Sequence, residues 1–96
     1  RYLVSNYAGR EIISIDHDGN QTLFYSGLPA PRGLVIYLDT LYVASDTGVT
    51  CHDLETGDII WQLNSPGWQF VNDLAFDSTG NLYLTEFMAA VLGKPQ

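Results

Sequence analysis

The chain has 96 residues, enough for one modest domain, and a net charge of −7 from 11 acidic residues against four Lys and Arg. Because these four cations are scattered singly, we expect no nucleic-acid partner, since phosphate binding needs clustered Lys and Arg. The longest apolar runs, GLVIYL and MAAVL, are too short to cross a bilayer, so we expect no membrane partner.

Three copies of one sequence unit follow one another along the chain. Residues 41–46 (LYVASD) recur at 82–86 (LYLTE), and residues 32–37 (RGLVIY) recur at 72–77 (NDLAFD). The period of about 40 residues lies in the range of propeller repeats. The first copy is cut at its front, and its YLVSN at residues 2–6 matches the YVASD of the second copy.

Each copy is predicted to run strand, turn, strand, loop, strand, turn, strand. The first copy supplies the last three of these strands, the second copy all four, and the third copy the first two. The predicted units span residues 1–28, 29–66 and 67–96, and the Pro- and Gly-bearing links SGLPAPRG and NSPGWQF mark their boundaries. The tail from Phe87, FMAAVLGKPQ, departs from the pattern and is assigned to no element.

Short polar turns containing glycine separate the paired strands. They are DHDGN at residues 16–20, LETGD at 54–58 and DSTGN at 77–81. A glycine near the end of such a turn supplies the left-handed residue that closes a hairpin. DHDG is too short for an EF-hand loop, which needs a later bidentate Glu, so these segments are predicted to be hairpins and not calcium loops.

Several predicted strands, such as IISI, LVIYL and LAF, are apolar on both faces, which is typical of a sheet covered on both sides. In a β-propeller each four-stranded antiparallel blade lies between two neighbours. The sequence therefore predicts an all-β fold with about two and a half blades of a six-bladed propeller. So few blades cannot close a ring, and we expect the remaining propeller blades, or further copies of the chain, as partners.

The two stretches PRGLVIYLDTLYVASD and VNDLAFDSTGNLYLTE resemble the first two strands of successive blades in the gluconolactonase-like (senescence-marker-protein) superfamily. Proteins with NHL repeats are similar in the same residues. The resemblance covers most of residues 2–86. It implies a six-bladed propeller whose central channel holds a divalent cation, usually calcium, bound by carboxylate and Asn side chains from the first strands of different blades.

Asn72 matches a position that carries such a ligand, and its carboxamide oxygen is a hard donor of the kind that calcium takes in sets of six to eight. One repeat earlier the equivalent residue is Arg32, which only donates hydrogen bonds and cannot bind a cation. We therefore expect calcium to bind in the complete ring and not tightly to this segment alone.

Three further residues are candidates for catalysis or ligand binding in the channel. Asp73 is either a general base or carboxylate near the cation, or a side chain that accepts hydrogen bonds from backbone donors at the strand entrance. Arg32 either binds an anionic ligand or forms an ion pair with a loop carboxylate such as Asp46. Trp68 either stacks on a sugar or lactone or packs against other side chains. Glu86 stands where the family commonly has Asp.

Other residues that often carry chemistry are predicted to be structural. Cys51 is the single cysteine and is predicted to be a small buried apolar residue. Trp61 is predicted to pack in an outer strand. His17 and His52 each adjoin an aspartate, but neighbours along a strand point to opposite faces, so His52 and Asp53 are not predicted to form an acid–base pair.

Two functions follow from this interpretation. The first is a ligand-binding or scaffold segment of a gluconolactonase-like or NHL-like propeller, which presents its loops and channel to a small molecule or a partner. The alternative is a divalent-cation-dependent hydrolase of sugar lactones or related esters, in which the cation polarises the carbonyl and a carboxylate activates water. The hydrolase requires further acidic or Asn residues at the first-strand starts of other blades, whereas the scaffold does not.

Overall fold

The computed structural model describes residues 1–46, 48–64 and 71–86, which form nine β-strands and no helix. The chain is therefore all-β in these ranges, and no helix within them is long and apolar enough to span a membrane. The strands are β1 (Tyr2–Asn6), β2 (Glu11–Ile15), β3 (Gln21–Ser26), β4 (Leu34–Tyr37), β5 (Thr40–Ala44), β6 (Gly48–Asp53), β7 (Ile59–Asn64), β8 (Val71–Phe76) and β9 (Leu82–Glu86).

The strands form three sheets in which every neighbouring pair is antiparallel. The first sheet has the order β1-β2-β3, the middle sheet β4-β5-β6-β7 and the third sheet β8-β9. The predicted succession of three, four and two strands is therefore seen. The three sheets fall inside the predicted units 1–28, 29–66 and 67–96, whose boundaries themselves stay predictions.

The middle sheet lies between the other two and has a buried apolar cluster on each face. Alternate residues of β5 supply the two clusters, because successive side chains of a strand point to opposite faces. Leu41 and Val43 pack with Ile12 of the first sheet, while Ala44 packs with Val71 of the third sheet. The prediction of a sheet covered on both faces thus holds for β5 and β6 of the middle sheet, whereas β7 is exposed.

The three polar turns are hairpins, as predicted, and join β2 to β3, β6 to β7 and β8 to β9. Their glycines have the positive φ that the turns require: 86° at Gly19, 79° at Gly57 and 91° at Gly80. Two other structural predictions are also confirmed. Cys51 is buried and unpaired, and Trp61 lies on β7 with its ring 5.9 Å from that of Tyr42.

The strand register corrects one predicted match between the repeats. Matching YLVSN with YVASD makes Tyr2 equivalent to Tyr42. In the structure, Tyr2 pairs with Ile15, which precedes the turn aspartate of the first sheet. In the middle sheet the residue before the turn aspartate is His52, and its partner is Leu41. The match was wrong by one residue because it followed the shared tyrosine, whereas the turn sets the register. A slip of one residue exchanges the two faces of a strand, so the correction decides which side of the first sheet is covered.

Candidate functional site

Arg32 lies at the start of the middle sheet and contacts all three sheets. Its side chain is 11% exposed, and its Nη2 donates to Oδ1 of Asp46, in the loop after β5, at 2.6 Å. Its Nη1 donates to the carbonyl oxygen of Val71, on β8, at 3.4 Å. Its guanidinium lies 5.1 Å from the centre of the Tyr7 ring, which belongs to the turn after β1. The arginine is therefore a joint between neighbouring sheets.

Backbone hydrogen bonds hold this joint in place. The N–H of Arg32 donates to the carbonyl of Ala44 at 2.8 Å, and the N–H of Val71 donates to the carbonyl of Asp46 at 3.1 Å. The hydroxyl of Ser5, on β1, donates to the carbonyl of Arg32 at 2.8 Å. Of the two roles predicted for Arg32, the structure shows the ion pair with Asp46, and the binding of an anionic ligand stays a prediction.

Asp73 lies on β8 where the register with β9 shifts, between Val71 and Asp73. Such bulges re-aim side chains. The side chain is exposed, and its Oδ1 accepts a hydrogen bond from the N–H of Leu74 at 2.8 Å. This is the predicted bond to a backbone donor. Asp73 also lines a shallow pocket of about 130 Å³, together with Tyr83 and Thr85 on the outer side of the third sheet. Its role as a general base stays a prediction.

The other two predicted site residues are described only in part. The backbone of Asn72 lies in β8 next to Val71, whose carbonyl contacts Arg32, while the side chain of Asn72 and the whole of Trp68 lie outside the described residues. Within residues 1–46, 48–64 and 71–86, no group of three or more His, Cys, Asp or Glu side chains is placed to hold a metal ion. Calcium binding in a complete ring stays a prediction.

Turn aspartates hold the hairpins by accepting backbone hydrogen bonds. Asp77 accepts from the N–H groups of Thr79 and Asn81 at 3.0 and 2.9 Å. Asp16 makes the same pair of bonds in the first hairpin, and Asp53 makes a related pair in the second. These backbone donors lower the pKa of all three carboxyl groups from the ordinary value. The repeated aspartates therefore serve the turns.

His52 is a buried polar residue whose location the sequence did not reveal. It lies between the first and middle sheets with no exposed surface, and its ring meets that of Tyr25 edge-on at 4.7 Å. Its Nδ1 donates to the carbonyl of Gly57 at 2.9 Å, and its Nε2 accepts from the hydroxyl of Thr50 at 2.8 Å, because a carbonyl oxygen only accepts. Burial lowers the pKa of His52. As predicted, it forms no pair with Asp53.

We expect acid to reduce the stability of the chain in two separate windows. The pKa of folded His52 is lowered by burial, so the unfolded chain takes up the proton first, and stability falls once the pH drops below the ordinary value of 6.5. The pKa values of folded Asp16, Asp53 and Asp77 are lowered by their hydrogen bonds. More stability is therefore lost as the pH falls below their ordinary value of 3.8.

Urea unfolding measured across this pH range checks the assignment. His52→Gln should flatten the upper window and leave the lower one. An upper window that survives in His52→Gln would contradict the assignment to His52.

No family model, curated protein or solved structure matches the chain. The resemblance to gluconolactonase-like and NHL-repeat propellers therefore stays a prediction.

Proposed function

We propose that the chain is a scaffold segment of a gluconolactonase-like or NHL-like β-propeller and binds further sheets of the same repeat. The observation that carries this proposal is the exposed apolar side of the first sheet that faces away from the middle sheet. We call it the outer face. Cross-strand pairing places five apolar residues on it: Tyr2, Val4, Ile13, Ile15 and Leu23.

The repeat indicates that a sheet belongs on this outer face. Leu41 and Val43 occupy the corresponding positions of the middle sheet and are only 1% and 0% exposed, because the first sheet covers them. Tyr2 and Val4 are 73% and 43% exposed, and Leu23 is 58% exposed. Contiguous apolar surface of this kind marks an interaction site.

The chemistry of the junction between the first and middle sheets defines the occupant. Leu41 and Val43 are covered by apolar side chains of an antiparallel sheet, among them Leu3 and Ile12. We therefore assign the outer face to another antiparallel sheet of this repeat, which a second copy of the chain supplies when the chain is alone in solution. Face-to-face packing of this kind joins subunits head to tail, which gives a ring where the rotation between subunits closes.

Sedimentation velocity of the 96-residue chain tests this proposal. We expect the wild-type chain to associate as its concentration rises, and Val4→Glu to shift the chain towards monomer because it puts a charge on the outer face. Ile60→Glu is the matched control, since Ile60 is a strand residue of the middle sheet that is 56% exposed and lies outside that face. A wild-type chain that stays monomeric at all concentrations would overturn the proposal.

The proposal also assigns a small-molecule ligand to the end of the sheets where Arg32 lies. Strands β4 and β8 pack beside each other there, and the Arg32 guanidinium and the Asp46 carboxylate provide opposite charges close together. The exposed carboxylate of Asp73 lies two residues beyond Val71, which Arg32 contacts. Charged groups fixed in this way suit the recognition of a polar ligand.

The alternative proposal, a hydrolase of sugar lactones or related esters, depends on a divalent cation at Asn72 with Asp73 as the base. One carboxamide supplies one of the six or more oxygens that calcium requires. We therefore expect calorimetry to show no tight calcium binding by this chain. Tight one-to-one binding that Asn72→Ala abolishes and Asn64→Ala leaves unchanged would favour the hydrolase over the scaffold.

A further inference from the structure

We propose that the free edge of β1 binds an extended apolar strand, which pairs antiparallel with β1 and fills the groove between β1 and β4. The inference rests on the proposed function in that it treats the three sheets as copies of one unit. It concerns an edge and a groove, whereas the proposed function concerns the outer face of the first sheet.

The repeat predicts a partner strand at the free edge of β1. The corrected register makes β1 the equivalent of β5, because Tyr2 and Leu41 have equivalent partners. In the middle sheet β5 pairs on one side with β6 and on the other with β4, whereas β1 pairs only with β2 among the described strands. The N–H and C=O groups along the other edge of β1 thus lack a partner strand, and such an edge is a template for strand addition.

An apolar groove lies beside this edge. It has a volume of about 370 Å³ and lies between β1 and β4, which contact each other. Apart from Arg1, its lining is apolar: Tyr2, Leu3, Leu34, Val35, Ile36 and Leu41. Two of these side chains, Tyr2 and Ile36, are 73% and 55% exposed at its rim. A strand in this groove would cover Ile36 and satisfy the free edge of β1.

The first strands of the other two sheets indicate the chemistry of the occupant. Strands β4 and β8 hold the corresponding place in the middle and third sheets. Strand β4 packs against β8, and we expect a strand in the groove to pack against β4 in the same way. The sequence of β4 is LVIY, and β8 contains LAF. The occupant is therefore an uncharged apolar strand without proline, since proline removes a ladder hydrogen bond.

Other open edges lack this combination. The free edges of β3 and β7 belong to the last strand of their sheets, and the repeat places no strand beyond them. The repeat also expects a strand beside β9, but the cavity at that sheet includes the carboxylate of Asp73 and the hydroxyl of Thr85 in its lining. The groove beside β1 is the place, among the described strands, where an expected strand and an apolar cleft coincide.

A synthetic peptide with the sequence of residues 33–38, GLVIYL, tests the inference. Lysines at its ends keep it soluble, and a fluorophore reports its binding. The titration uses the full chain carrying Leu23→Glu on β3, so that association through the outer face does not compete, and is read by fluorescence anisotropy. We expect saturable binding of the peptide to the chain. The substitution Ile36→Asp in the chain, with the peptide unchanged, should weaken this binding by at least about tenfold, because it puts a charge in the groove. Ile60→Asp, on the exposed side of β7, should bind as the parent does.

Three outcomes would overturn the inference. One is the absence of saturable binding. Another is equal binding by a peptide N-methylated at alternate residues, since N-methylation removes the hydrogen bonds to β1 and leaves the apolar side chains. The third is equal binding of the peptide by the Ile36→Asp chain and its parent, which would place the peptide outside the groove. Because the titration does not use the outer face, none of these results alters the sedimentation test of the proposed function.

Discussion

Gly57→Ala should lower the free energy of unfolding by about 3 kcal/mol or more, a large share of the stability of a small domain. Gly57 is buried with φ at 79°, and a Cβ added there would overlap the backbone carbonyl oxygen of Phe24 on β3. A backbone atom of a paired strand cannot move aside as a side-chain end can. The substitution also displaces the carbonyl that accepts the Nδ1–H of His52.

Gly19→Ala is the matched control for this effect. Gly19 has the same kind of conformation, with φ at 86°, but a Cβ there would meet nothing within 4 Å. Only the conformational strain remains, and we expect a loss of about 1 kcal/mol. Urea unfolding of the two variants measures the difference. Equal losses would show that the first and middle sheets do not approach each other as closely as described at Gly57.

Arg32→Leu should cost about 2–3 kcal/mol of unfolding free energy, the second largest effect that we expect. The substitution removes the ion pair with Asp46, the hydrogen bond to the Val71 carbonyl and the contact with the Tyr7 ring. Asp46 is 40% exposed, so water compensates part of the loss, and the cost stays below that of a fully buried pair. Arg32→Lys should lose about 1 kcal/mol, since lysine keeps the charge and lacks the planar fork.

Arg10→Lys is the control for general effects of replacing arginine, because Arg10 is exposed and makes one side-chain bond, to the carbonyl of Leu28. We expect a change of less than about 0.5 kcal/mol there. A double-mutant cycle of Arg32→Leu with Asp46→Asn separates the ion pair from the other contacts. Arg32→Leu with a cost no larger than that of Arg10→Lys would contradict the role of Arg32 as a joint between sheets.

The hairpins and the strand succession could be predicted from the sequence because they depend on local chemistry. Polar turns with a late glycine fix where the chain reverses, as the positive φ at Gly19, Gly57 and Gly80 shows. The period of the repeat then groups the strands into sheets. The pairing of Arg32 with Asp46 was among the alternatives because both residues flank the same pair of strands, β4 and β5.

Contacts between sheets could not be read from the sequence in the same way. The equivalence of Tyr2 with Tyr42 followed from letters that match, whereas the face of a strand depends on its register with the next strand. The burial of His52 escaped prediction because the rings that lie against it, Phe24 and Tyr25, belong to the first sheet and are far from it in the chain. The contact of Arg32 with Val71 likewise joins residues far apart in the chain.

Thiol labelling of the outer face tests most directly whether another sheet covers it. Leu23→Cys in a chain that also carries Cys51→Ala places the single thiol on that face, and Ile60→Cys in the same background is the control. We expect labelling of the Leu23→Cys thiol to slow at least about tenfold when the chain concentration rises from about 1 μM to about 500 μM, while the control keeps its rate. Equal and constant labelling rates at both positions would contradict this expectation.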